Sequence, residues 1–257
     1  MKTLRSLSAA LAVATLALGG CGADEGAEAK PRMMLFVGMD VSGSFQKGPY
    51  AEDAKDFLAR YLYAHLNGQG GLPKPESLFV GAIGGTHAGE PKSFQPIEAF
   101  AGKDLGQIRA TLEQLFPKGQ YNNDTDFNAF LKQAGQIMLE RNSALKPVTV
   151  LMMTDGIVDL MDVKGGRDYA QIDLSPLERY SRNVTLRLCY TDPQAAADWK
   201  RLVPRQRARI WTQNADVMVH WKDSNILTAS TPPALQPALF HWIQDNVDYG
   251  VRVVRVE

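Results

Sequence analysis

The chain has 257 residues, of which 45% are hydrophobic, and its 28 Lys and Arg residues balance its 28 Asp and Glu residues. Such a neutral balance lacks the basic excess typical of nucleic-acid binding, so we do not expect nucleic acid as a partner. The length suits one domain with an ordinary hydrophobic core, and two cysteines are too few for a disulfide framework.

Residues 1–20 have the features of a secretory signal peptide. Lys2 and Arg5 give it a basic start, and residues 7–18 form an Ala- and Leu-rich run too short to span a bilayer comfortably. The sequence LGGC at residues 18–21 resembles the lipobox of bacterial lipoproteins, in which two small residues precede an acylated cysteine. We therefore expect a lipid anchor at Cys21. The alternative is an ordinary signal peptide followed by a chance cysteine.

Residues 21–32 are predicted to be the acylated cysteine and a flexible tether, because residues 22–32 are small or charged. Residue 22 is glycine, whereas an aspartate after the acylated cysteine commonly retains Gram-negative lipoproteins in the inner membrane. The resemblance therefore implies a protein of the cell envelope, anchored in the outer membrane and facing the periplasm. With lipid on Cys21, Cys189 is the remaining thiol, and we expect it to be a small buried side chain.

Residues 33–257 alternate short apolar runs with amphipathic segments. Strands are predicted at residues 33–39, 77–85, 147–156, 183–192 and 216–221, and helices at 50–66, 105–116, 126–142, 193–203 and 232–247. Strands separated by helices predict a single α/β domain with a doubly wound, mostly parallel sheet flanked by helices. The last residues, 250–257, fit either an edge strand or a docking tail.

Oxygen-bearing side chains follow two of the predicted strands. Asp40, Ser42 and Ser44 come directly after the first strand, and Asp155 ends the strand at 147–156. Thr125 lies in a polar loop before a helix. Ligands of such sheets bind outside the carboxyl ends of the strands. An all-oxygen set of two carboxylates and three hydroxyls suits Mg²⁺, then Mn²⁺ or Ca²⁺, rather than zinc or copper.

The sequence DVSGS at residues 40–44 resembles the D-x-S-x-S motif of the von Willebrand factor type A (vWA) domain. Thr125 and Asp155 stand where that family places the threonine and second aspartate of its metal-ion-dependent adhesion site (MIDAS). The resemblance extends from Met33 to about Trp221. It implies that the three hydroxyls bind a divalent metal, that both aspartates hold it directly or through water, and that an acidic group of a protein partner fills an open position.

Two alternatives concern the residues of this site. Asp40 and the serines could instead form a turn or cap the next helix. Thr86, in the segment GGTHAG, competes with Thr125, but no helix is predicted to begin there. Next to the five metal ligands, we predict the partner contacts Phe45, Asp124 and Gly156.

The leading hypothesis is a lipid-anchored domain, not an enzyme, that binds a protein partner through the metal. One alternative is a metal-independent scaffold that docks through the basic segment 200–209 or the C-terminal tail. Another is a metal-dependent hydrolase, which is less favoured because no convincing general base or nucleophile accompanies the metal ligands.

Overall fold

The computed structural model describes residues 32–85, 93–122 and 124–249. The predicted signal peptide, Cys21, most of the tether, Thr86 and the C-terminal tail lie outside these ranges. Within them, six strands form one sheet in the order β3-β2-β1-β4-β5-β6. The strands are β1 (Met34–Asp40), β2 (Ser77–Ile83), β3 (Phe94–Pro96), β4 (Val148–Met153), β5 (Val184–Thr191) and β6 (Arg209–Asn214). All neighbouring strands pair in parallel except β2 and β3.

The described helices are α1 (Gly43–Gln46), α2 (Ala51–Asn67), α3 (Leu105–Leu115), α4 (Phe127–Glu140), α5 (Ser175–Glu178), α6 (Pro193–Leu202), α7 (Ala215–Met218) and α8 (Pro237–Asn246). Short 3₁₀ turns lie at Gln69–Gly71, Ile97–Ala99, Tyr169–Gln171, Val219–Lys222 and Pro233–Leu235. The predicted fold class, a mostly parallel sheet flanked by helices, is confirmed.

The sheet is covered on both faces, which explains why its central strands are continuously apolar. Every residue of β1 is buried. Because side chains alternate along a strand, Leu35, Val37 and Met39 pack in a core layer with α2, α3 and α8. Met34 and Phe36 pack in a second layer with α4 and α6. Two helical layers thus fix β1 in the middle of the sheet, with its carboxyl end at one edge.

The prediction of a strand at residues 216–221 is wrong. This segment is helical, with α7 followed by a 3₁₀ turn. Met218 and Trp221 are both buried, and their spacing of three residues places them on one face of a helical segment. The sixth strand is instead β6, where Ile210 and Thr212 alternate inward. The sequence also gave no indication of the short antiparallel strand β3, and the last helix begins at Pro237 rather than at residue 232.

Cys189 lies on β5 and is buried, as predicted. Burial, opposed by the nearby Arg187, raises the pKa of its thiol to about 12. None of the described helices is both long and apolar enough to cross a membrane.

Candidate functional site

The site is built around the end of β1. Asp40 is the last residue of this strand and its side chain is completely buried. Its Oδ1 accepts a hydrogen bond from the Ser42 backbone N–H at 2.8 Å, and its Oδ2 accepts one from the Thr154 hydroxyl at 2.6 Å. The turn expected as an alternative is therefore present. However, Ser42, at the N-cap of α1, makes no side-chain capping bond, so its hydroxyl is not used to cap that helix.

The serines connect Asp40 to Asp155. The hydroxyl oxygens of Ser42 and Ser44 lie 3.1 Å apart. Ser42 also hydrogen bonds to the Asp40 carboxylate, and Ser44 hydrogen bonds to Asp155. Asp155 in turn accepts the Ile157 backbone N–H at 3.0 Å. Four of the five predicted ligands thus form a continuous set of contacts that runs from a buried carboxylate to the exposed Ser44.

Thr125 lies in a loop that crosses the same edge of the sheet. The Gly43 backbone N–H donates to the Asn122 carbonyl at 3.0 Å, which ties this loop to the start of α1. The Thr125 backbone N–H donates to Asp159 Oδ2 at 2.5 Å. Its hydroxyl makes no hydrogen bond with any described residue. The structure therefore brings Thr125 to the edge without a direct hydrogen bond between its hydroxyl and the other four predicted ligands.

The two aspartates at this edge carry an uncompensated charge. Burial, together with the charge of Asp155, raises the pKa of Asp40 from its ordinary 3.8 to about 7. Burial and the charge of Asp159 also raise the pKa of Asp155, while hydrogen bonds from Ile157 and Ser44 and the charge of Arg167 oppose this rise. Among the described residues, no cationic side chain forms an ion pair with either Asp40 or Asp155. A bound cation would relieve the repulsion between them.

These donors fit a hard divalent ion. The five residues offer only oxygen atoms, and each of the two carboxylates keeps at least one free lone pair beyond the hydrogen bonds it already accepts. The described residues contain no cluster of three or more His, Cys, Asp or Glu side chains able to hold a metal. A metal here would therefore rely on hydroxyls in addition to Asp40 and Asp155, which is the donor set predicted from the sequence.

Two residues at the site were missed by the sequence analysis. Thr154 bridges the strands β1 and β4, because its hydroxyl donates to Asp40 and accepts the Gly156 backbone N–H at 2.9 Å. Asp159 joins the Thr125 loop to the segment after β4. Both are close to Asp155 in sequence, one directly before it and the other four residues after it, and this proximity is the signal that could have identified them.

The three predicted partner contacts differ in exposure, and their contact with a partner stays a prediction. Phe45 is only 2% exposed and packs edge-on against Tyr190, with 6.5 Å between ring centroids. Gly156 is also buried, and its carbonyl accepts the Trp199 indole N–H at 2.8 Å. The Phe45 ring is therefore mostly occupied by contacts within the domain, although it also lines a groove beside the site, and Gly156 lies beneath the surface. Asp124 is partly exposed, and its carbonyl accepts the Gly85 N–H at 3.3 Å, so it remains available at the rim of the site.

No protein-family model matches the sequence, and no curated protein matches it. Solved structures with a similar fold include the pilus adhesin SpaC from Lactobacillus rhamnosus GG, with 15% identity, a TM-score of 0.46, and coverage of 76% of this chain and 29% of the adhesin. The SpRpn10 VWA domain has 11% identity and a TM-score of 0.46, with 74% and 95% of the two chains covered. Manganese-loaded TRAP from Plasmodium vivax has 15% identity and a TM-score of 0.44, with 73% and 70% covered.

This chain thus spans less than a third of the length of the adhesin. At these TM-scores the similarities carry no argument about function. We therefore interpret the site from the residues of this chain alone.

Proposed function

We propose that this chain is a vWA-like domain that binds a protein partner through a divalent metal, Mg²⁺ first and Mn²⁺ or Ca²⁺ as alternatives. Asp40, Ser42, Ser44, Thr125 and Asp155 would hold the ion. The metal supplies a Lewis-acidic position that accepts a carboxylate from the partner. The domain is anchored in the cell envelope by lipid on Cys21, in the outer membrane facing the periplasm.

The observation that carries this proposal is the contact set that joins Asp40, Ser42, Ser44 and Asp155. It combines a fully buried carboxylate, a second carboxylate without an ion pair, and a hydroxyl that faces solvent. Burying a carboxylate without a cation is costly, and this cost is removed when a cation binds. Because the hydroxyls are neutral, a bound divalent ion keeps enough positive charge to attract an acidic group.

Binding is better supported than catalysis. The described histidines contact groups other than the five predicted ligands: His65 bonds to Pro73 and Asp248, His220 to Asp223, and His241 to Pro237. None of these imidazoles is hydrogen bonded to a predicted metal ligand. A hydrolase would need a general base near the metal. Apart from the carboxylates assigned to the metal, the described edge offers Asp159, which accepts the Thr125 backbone N–H, and the partly exposed Asp124, but no imidazole.

The scaffold alternative is less favoured because the basic segment 200–209 has internal partners. Glu178 accepts the backbone N–H groups of Gln206, Arg207 and Ala208 at 2.6 to 3.2 Å. The Arg205 guanidinium donates to the Lys200 carbonyl at 2.7 Å. These bonds fold the segment against α5 and α6, so its backbone and the Arg205 side chain have partners within the domain.

Metal binding can be tested directly with Mn²⁺, whose electron paramagnetic resonance signal broadens when the ion is bound. We expect stoichiometric binding to the wild-type protein and loss of binding in Asp155→Ala. Asp173→Ala is the matched control, because Asp173 Oδ1 accepts the Ser175 N–H at 2.9 Å in the same i to i+2 pattern as Asp155, but away from the site. Equal binding by wild type and Asp155→Ala, with circular dichroism showing both folded, would refute the metal site.

Partner binding requires a separate experiment. The full-length protein is used to capture proteins from an envelope extract in Mg²⁺ and in chelator. We expect a partner that is retained in Mg²⁺ by the wild type and by Asp173→Ala, but not by Asp155→Ala. A partner that survives chelation would instead support the metal-independent scaffold.

A further inference from the structure

A groove of about 420 Å³ opens beside the proposed metal site and shares two residues with it. Ser44 and Asp155 form the wall next to the site. The remaining walls are largely apolar and include Pro49, Tyr50 and Ala215. Because the groove and the proposed metal site meet at Ser44 and Asp155, a partner segment whose carboxylate reaches the metal also passes over the groove.

The floor of the groove is held by a strained residue. Tyr190 has a φ of 71°, a left-handed conformation that is unfavourable for a residue with a side chain. It lies where the pairing of β5 and β6 shifts register, between Cys189 and Thr191. The Tyr190 hydroxyl donates to Asp53 at 2.7 Å, and its ring packs against Phe45 and Tyr50. Strained conformations of this kind concentrate at functional sites, and here the conformation places an aromatic ring under the groove.

The far rim of the groove is acidic. Asp192 and Asp216 both line it and both are exposed. Asp192 Oδ1 accepts the backbone N–H groups of Gln194 and Ala195 at 2.8 and 3.1 Å, as the N-cap of α6. Neither carboxylate forms an ion pair with a described residue. Arg167 lines the neighbouring pocket together with Asp192, whereas no basic side chain of the described residues forms an ion pair with Asp216. The rim is therefore complementary to a positive charge.

We propose that the groove is a specificity subsite for the partner, and this inference rests on the metal-dependent binding proposed above. The partner is an extended segment that carries a carboxylate for the metal, a large apolar side chain for the groove, and a Lys or Arg for the rim at Asp216. The apolar side chain buries its surface on Tyr50, Pro49 and Ala215. The basic group pairs with the rim carboxylate, and this pairing sets the direction in which the segment crosses the site.

The test uses a phage-displayed library of random dodecapeptides, selected on the full-length protein in Mg²⁺ and eluted with chelator. We expect the enriched peptides to contain an acidic residue with an apolar and a basic residue close by. Selection on Asp216→Lys should remove the preference for a basic residue, and that variant should bind an enriched wild-type peptide about fivefold more weakly. Glu98→Lys is the matched control, since Glu98 is an exposed carboxylate in the 3₁₀ turn after β3, at the opposite edge of the sheet.

Metal binding to each variant is measured by Mn²⁺ electron paramagnetic resonance. This measurement distinguishes failure of the proposed metal-dependent binding from failure of the proposed subsite. If metal binds but chelator elutes no enriched peptides, the proposed partner binding is wrong, and the proposed subsite, which depends on it, is wrong as well. If the peptides share an acidic residue without an apolar or basic neighbour, the subsite alone is overturned. A basic preference that persists in Asp216→Lys would also overturn it. Loss of that preference in Asp216→Lys, but not in Glu98→Lys, would establish it.

Discussion

Replacing Asp40 by Asn should stabilise the metal-free protein, although it removes a charged group from the proposed site. Asp40 is fully buried, and burial together with the Asp155 charge raises its pKa from 3.8 to about 7. The folded state therefore holds its proton more tightly than the unfolded state. Each pKa unit corresponds to about 1.4 kcal/mol, so the ionised carboxylate costs ~4 kcal/mol above pH 7.

The sign of the pH dependence follows from the raised pKa. Between about pH 4 and pH 7 the folded protein binds more protons at Asp40 than the unfolded chain, so the free energy of unfolding falls as pH rises. Asn is neutral at every pH and can still accept the Ser42 N–H. We expect Asp40→Asn to lose this pH dependence and to be ~2–4 kcal/mol more stable than wild type at pH 8 in chelator. In saturating Mg²⁺ the difference should shrink, because only the wild type gains stability from the metal.

The assay is unfolding by urea in the presence of chelator, monitored by circular dichroism at pH values from 4 to 8. Asp53→Asn is the matched control, since Asp53 is also a buried aspartate. It differs in being paired, with Tyr190 at 2.7 Å, the Trp221 indole at 3.0 Å and Lys222 at 2.5 Å. This control should be destabilised by ~1–3 kcal/mol. If Asp40→Asn loses as much stability as Asp53→Asn in chelator at pH 8, the charge of the Asp40 carboxylate does not destabilise the folded state, and this prediction is wrong.

Three further predictions concern the surroundings of the site. Against the opposing effect of desolvation, hydrogen bonds from Lys55 and Arg109 lower the pKa of Glu113 to about 2. The Glu113 carboxylate therefore contributes stability above pH 4.5, and this contribution is lost as the pH falls towards 2. The Lys55→Met substitution should reduce this loss of stability at low pH, as measured by urea unfolding. Gly156→Ala should cost ~1–2 kcal/mol in the same assay, because Gly156 has a φ of 77°. Cys189 should resist iodoacetamide in the folded protein at pH 8 and react fully in guanidinium, because it is buried and its thiol pKa is about 12; labelling of the native state at the unfolded rate would contradict this.

The sequence predicted those parts of the fold that depend on local periodicity. A continuous apolar run identified β1 and a mostly apolar run identified β4, because strands buried on both faces show little polar alternation. In β5, Val184, Leu186 and Leu188 instead alternate with more polar residues. The prediction failed at residues 216–221, where a short apolar run with two valines is typical of a strand but the segment packs as a helix. Strand β6 was not predicted because its six residues, RIWTQN, include a single aliphatic residue, Ile210, as suits a strand at the edge of the sheet.

The candidate site was predicted where chain order and topology determine proximity. Asp40 and Asp155 end neighbouring parallel strands, so the pairing of β1 with β4 brings them together. The burial of Phe45 could not be predicted in this way, because it depends on Tyr190, a residue 145 positions later in the chain. The contact of Asp159 with the Thr125 backbone likewise depends on how two loops cross, and local sequence does not encode that crossing.

The position of Asp159 links metal binding to the order of the Thr125 loop. Asp159 holds the Thr125 backbone and adds to the negative charge felt by Asp155. A cation at the edge reduces the repulsion between Asp155 and Asp159, and so favours the arrangement in which Asp159 holds the Thr125 backbone. A ligand present at 100 times its dissociation constant stabilises the folded state by about 2.7 kcal/mol. That gain is similar in size to the cost of the buried Asp40 charge. Metal binding would therefore offset most of the destabilisation that this charge causes in the folded domain.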